Sequence, residues 1–187
     1  GNIADLQTSM LDRMRNETTD LKDAANLLMA TTRSNIMVQT RTHAAVIAIL
    51  AAKNLASLIH VVCFDLPHLL DIDAASLCLE TGEAGLTKFG KTDICWVNPG
   101  IVDKVLGGVD QFTKLIEHTN DDGRIFGVES GIVMSAALSR LQLSGNISSG
   151  ILALGSRTKG AFHSGQGTDL LLFFTRVLEL SLQRWLD

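Results

Sequence analysis

Glycine is distributed unevenly enough in this chain to divide it before any other feature is considered. Of 16 glycines, none falls between Gly1 and Gly82, the other 15 lie from Gly82 to Gly167, and the residues after Gly167 have none. Glycine is costly inside helices and useful in tight turns, so a long gap argues for helix and a dense stretch for strands joined by short loops. The chain therefore reads as helices, then a mixed region, then a closing helix. At 187 residues it is long enough for one domain with a sizeable core.

Composition narrows the function classes. A net charge of −4 with 46% hydrophobic and 19% charged residues excludes global disorder. A pI near 5.7 argues against a nucleic-acid footprint. Three cysteines, none spaced Cys-x-x-Cys, do not make a disulfide framework, and a reducing cytoplasm is the expected setting. No secretory signal is visible, and Gly1 reads as an expression remnant with residues expected upstream.

In the glycine-free part, Met10, Met14, Leu21, Ala24 and Leu28 keep the alternating spacing of a heptad seam, interrupted at Glu17. The seam suits either a homodimer helix, parallel or antiparallel, or a helix packed on its own domain. A break is expected over residues 31–35, where Thr31, Thr32, Ser34 and Asn35 compete for backbone hydrogen bonds. A second helix follows, with Ala44, Ile47, Ala48, Ala51, Leu55, Leu58 and Val62 on one face, ending near Pro67. Lys53, Asn54 and His60 inside that apolar window argue for a buried amphipathic helix over a membrane span.

Strands are expected over 73–80, 92–97 and, briefly, 124–128. Residues 101–117 read as two short helical pieces split by Gly107 and Gly108. The runs 134–143 and 150–156 flank a turn-rich loop and read as a hairpin. Asn146-Ile147-Ser148 matches a glycosylation triplet, read here as part of that turn. From Thr168, the N-cap candidate, Leu171, Leu172, Thr175, Leu178, Leu182 and Trp185 form a helical stripe.

Ser135 to Leu141 (SAALSRL), Gly150 to Ser156 (GILALGS) and the group Phe162, His163, Gly167, Thr168, Asp169, Leu170 and Leu171 resemble the bacterial family named domain of unknown function 484. Ala161 and Thr158 stand where that family usually has arginine and aspartate. The family is similar to GAF domains, which implies an α+β fold: an antiparallel sheet of five or six strands flanked by helices, a common small-ligand sensor architecture. The implied organisation is a helical segment over 1–64 and a GAF-like domain over 65–187, the second helix packing with the latter. Fold alone does not license function.

Each candidate site has a bland alternative. Gly165, Gly167 and Thr168 could hold an anion at a helix start, or simply allow a tight, capped entry. Ser156, Arg157, His163 and Asp169 could face one pocket if the 160–167 loop folds over the sheet edge, Phe162 pinning that loop to the core. Trp96, Arg124 and Ser156 mark the space in which a small anionic metabolite is sought. His60 and Cys63 have a metal-compatible spacing but lack further ligands, so burial is the simpler account. Cys78 and Cys95, on successive strands, allow thiol redox chemistry but have no basic flank to activate them. No catalytic constellation and no cofactor motif can be assembled. The expectation is a non-catalytic sensor or adaptor, dimerised through its N-terminal helix. A ligand-free interaction module is the alternative, and a thiol enzyme the weaker one.

Overall fold

The computed structural model describes residues 2–81, 93–119, 123–145, 147 and 149–186. These form two compact units that meet in sequence between Thr40 and Arg41. No helix among the described residues is long and apolar enough to cross a membrane.

Helix α1 spans Asn2–Ala51. The expected break at residues 31–35 is absent, for an identifiable reason. Thr31 and Thr32 donate their hydroxyls back to the carbonyls of Leu27 (2.9 Å) and Leu28 (2.8 Å), so side chains that could compete with the helix bond inside it. The interruption lies instead at Ala52–Asn54. There Asn54 Oδ1 accepts from the Ser57 amide at 2.8 Å and Ser57 Oγ accepts from the Asn54 amide at 3.2 Å. This reciprocal capping box starts helix α2, Leu55–His60, and divides the single helix expected over 44–62.

A π turn, Val61–Asp65, leads into α3, Leu66–Leu70. Pro67 sits in the first turn of α3, directly after the π turn, so the helical run continues past the point where the proline was expected to end it. Asp71 closes α3 in the left-handed region (φ 58°), and its carboxylate is held 2.7 Å from Arg41 Nη2.

Five strands follow: β1 Ala74–Glu80, β2 Cys95–Val97, β3 Thr113–Ile116, β4 Ser135–Gln142 and β5 Ser149–Ser156. Their order in the sheet is β2-β1-β5-β4-β3. The fold is α+β, as expected. The sheet is mixed, because β1 and β2 run parallel while every other pair is antiparallel. Thr92, counted with the second strand from sequence, lies outside the described residues, as do Asn146 and Ser148 of the hairpin turn.

Two local readings change. Helix α4, Ile101–Leu106, ends at Gly107, whose φ of 102° turns the chain so that the Gly108 amide also reaches the Asp103 carbonyl at 2.9 Å. The second expected helical piece is β3, because Thr113–Ile116 pairs with Ser139–Ala136 of β4. Residues 124–126 form turns and Gly127–Glu129 a 3-10 turn, not a strand.

Alternation along the strands sends apolar side chains to both faces of the sheet. Ala75, Leu77, Leu79, Ala137, Leu141, Leu152 and Leu154 face Ala45, Ile49, Leu58, Val62 and Leu66 and helix α5, Asp169–Leu186, through Phe174, Leu178 and Leu182. Ala74, Cys78, Ala136, Leu138, Ile151 and Ala153 face Val102 and Leu106 of α4 with Phe126 and Val133. Each fully buried leucine here contributes roughly 1.5–3 kcal/mol.

Candidate functional site

The first unit presents apolar side chains with nothing in that unit to cover them. Met10 (66% exposed), Met14 (63%), Leu21 (71%) and Leu28 (68%) all stand out from α1, and Ile3 and Leu6 extend the same stripe. Charged side chains flank part of it, and Leu11, Leu27 and Met29 stand exposed beside it. Arg13 pairs with Glu17 at 3.2 Å and Arg15 with Asp12 at 3.9 Å, both in solvent. The heptad spacing thus becomes a real surface of the helix, with Glu17 inside it.

In the second unit the polar candidates gather around Asp73, just ahead of β1, which the sequence reading did not single out. Asp73 Oδ2 accepts from the Arg157 amide at 2.8 Å and from Ser156 Oγ at 3.2 Å, while Oδ1 takes Arg157 Nε. The Arg157 amide bond is the chief cause that holds the Asp73 carboxyl below the ordinary range, with the guanidinium and Ser156 adding to it against partial desolvation. Ser156 Oγ also accepts from the Thr158 amide at 3.1 Å. Ser156 and Arg157 therefore tie the end of β5 to the start of β1.

The loop after Arg157 runs to the end of β3. Glu117 accepts from the Gly160 amide through its carbonyl at 3.2 Å, and from the Ser164 amide and hydroxyl through Oε1 at 3.3 Å. Phe162 packs against the first-face core and pins the loop, as its sequence position suggested. His163 and Gly167 are exposed. Thr168 supplies its carbonyl to the Leu172 amide at 2.9 Å, at the entry to α5.

Trp96, Arg124 and Ser156 do not converge. Trp96 packs on the first face, level with Leu79 and Gly150. Ser156 lies six residues farther along β5, about 20 Å away at the rise of a strand. Arg124 meets the sheet through its carbonyl, which accepts from Cys95 Sγ at 2.8 Å beside the second-face core. Part of that face is filled by side chains: a Cβ on Gly155 would come within 2.8 Å of Val133 Cγ2 and 3.0 Å of Phe126 Cε1.

His60 and Cys63, the pair with metal-compatible spacing, differ in environment. His60 is exposed, not buried, and its ring lies 5.0 Å from that of Phe64. Burial pushes the Cys63 thiol up to about 11, with the Asp93 carboxylate adding to the effect. No group of three metal-ligating side chains occurs among the described residues. Arg140, buried on β4, meets Asp103 Oδ1 (2.7 Å) and the carbonyls of Gly108 (2.7 Å) and Gln111 (3.1 Å), pinning the connection from α4 to β3. It was not distinguishable in sequence from a solvent-facing arginine of an alternating strand.

A family model described as protein of unknown function, DUF484, matches residues 1–187. No curated protein matches the chain.

Proposed function

The chain belongs to the DUF484 family, and from that premise we propose that it is a non-catalytic, GAF-like adaptor that works as a homodimer joined through α1. The observation that carries this reading is the exposed stripe Met10, Met14, Leu21 and Leu28. Helices in proteins draw most of their stability from packing an amphipathic face. Residues 2–40 rise about 60 Å at 1.5 Å per residue, and every described side chain from Asp5 to Thr40 is exposed. A second copy supplies an equal stripe in the same heptad phase, which is the arrangement a two-stranded coiled coil uses. Charges of both signs beside the stripe, Asp12, Arg13, Arg15 and Asp20, suit a like partner better than one of a single strong charge.

The non-catalytic part of the reading draws on how the polar candidates are used. Ser156 and Arg157 are bound to Asp73, and the Cys63 thiol is held protonated at neutral pH. Mass by light scattering on the full chain tests the proposal. The expected result is twice 20.1 kDa for the unaltered chain and a single mass for the Met14→Glu/Leu21→Glu variant. A monomeric unaltered chain, or a variant that keeps the doubled mass, overturns it.

A further inference from the structure

Strands β1 and β2 run parallel with Cys78 directly opposite Cys95. Neighbouring strands lie about 4.8 Å apart, inside the Cα separation of roughly 4.4–6.8 Å that a disulfide spans. Both side chains leave the same face of the sheet, Cys78 within the second-face core and Cys95 packed against it. Their sulfurs reach consecutive carbonyls of one segment: Cys78 Sγ donates to Ile125 at 3.8 Å and Cys95 Sγ to Arg124 at 2.8 Å. The next residue, Phe126, packs over Gly155. The two thiols therefore help to hold the cover of the second face.

We propose that Cys78 and Cys95 form a redox-sensitive disulfide whose closure removes both thiol contacts to the Arg124–Ile125 turn and loosens that turn against the sheet. Cys95 is half-buried and Cys78 buried, so an oxidant meets Cys95 first. With a peroxide as oxidant, the Cys95 thiolate attacks one peroxide oxygen, the O–O bond breaks, and the other oxygen leaves as an alcohol or water after taking a proton. The Cys78 thiolate then attacks the sulfenic sulfur of Cys95, the S–S bond forms, and the hydroxyl leaves as water. Two electrons pass from the thiol pair to the peroxide. Each sulfur has then lost its hydrogen, so neither can donate to Arg124 or Ile125. Strand β2 is three residues long and, among the described residues, pairs on one side, so it can shift to meet the geometry of the new bond.

The test treats the full chain with hydrogen peroxide, then denatures, alkylates and digests it without reductant. The expected product is a peptide pair joined through Cys78 and Cys95, two hydrogens lighter than the separate peptides, with Cys63 alkylated. Deuterium uptake over residues 123–133 rises in the oxidised chain and returns after dithiothreitol. Cys78→Ser removes both the linkage and the rise, and Cys95→Ser serves if the first variant does not fold. Three alkylated cysteines after peroxide, a linkage through Cys63, or a Cys78–Cys95 linkage with unchanged uptake each overturns the proposal.

Discussion

Ser139 Oγ and Thr175 Oγ1 lie 2.9 Å apart inside the packing of α5 on the sheet, both fully screened from solvent. They begin a polar seam. One turn on, Glu179 Oε1 accepts from the Gln142 amide at 2.7 Å, and a further turn on, Gln183 Oε1 accepts from the Ser144 amide at 3.0 Å. Side chains four residues apart on α5 thus satisfy successive groups along the end of β4, and apolar packing alone would not fix that register. Thr175→Val leaves the buried Ser139 hydroxyl without this partner and should cost about 1–3 kcal/mol. Adding Ser139→Ala removes the orphan, so the double variant should be less destabilised than the sum of the two singles. Urea unfolding of the four chains measures the coupling, and additive values would show that the pair does not interact.

The Asp73 cluster makes a prediction with a definite sign in pH. Its carboxyl is held below the ordinary range, chiefly by the Arg157 amide, so the folded state favours the charged form. The stability this supplies is full above the unfolded value near pH 3.9 and is lost as pH falls through the lower folded value. Asp73→Asn should therefore cost about 1–2 kcal/mol at pH 7. The gap from the unaltered chain should narrow toward pH 3 in denaturant titrations. A gap of equal size at both pH values would mean that Asp73 acts through shape and not charge.

What could be read in advance was what one segment specifies by itself. The hairpin of β4 and β5 and the stripe of α5 lie in continuous patterns of one period, and both formed where expected. The break at Thr31 and Thr32 was misread because a threonine hydroxyl can either leave the helix or return to the carbonyl four residues back, and sequence does not choose between them. Thr113–Ile116 was misread because four residues after two glycines carry too little periodicity to outvote a helical neighbour, whereas β4 supplies the ladder that decides the matter. Asp73 was invisible because its partners Ser156 and Arg157 lie 83 and 84 residues away. For the same reason Ser156 and Arg157 looked available for a ligand.

The second face of the sheet should be intolerant of one added methyl. A Cβ on Gly155 would sit 2.8 Å from Val133 Cγ2, and valine has no free rotamer with which to withdraw. Gly155→Ala should cost about 1–3 kcal/mol through overpacking. Val133→Ala in the same chain opens the space, so the double variant should be more stable than the sum of the single losses implies. A purely additive result in thermal or urea unfolding would place the strain elsewhere.

Glu17 offers the sharpest test of the α1 interface, because one substitution should strengthen it. Glu17 falls on the seam between Met14 and Leu21, and its contact with Arg13 at 3.2 Å joins two well-exposed side chains of one helix. Such a pair contributes about 0.3–0.5 kcal/mol. Leucine at that position keeps a good helix former and adds a side chain worth roughly 1.5–3 kcal/mol if fully buried, once in each copy. If α1 pairs with α1, Glu17→Leu should tighten the dimer at least tenfold, since about 1.4 kcal/mol suffices for that factor. Sedimentation equilibrium across a dilution series gives the dissociation constant. An unchanged or weaker constant would place the contact on another face of the helix and remove the seam from the interface.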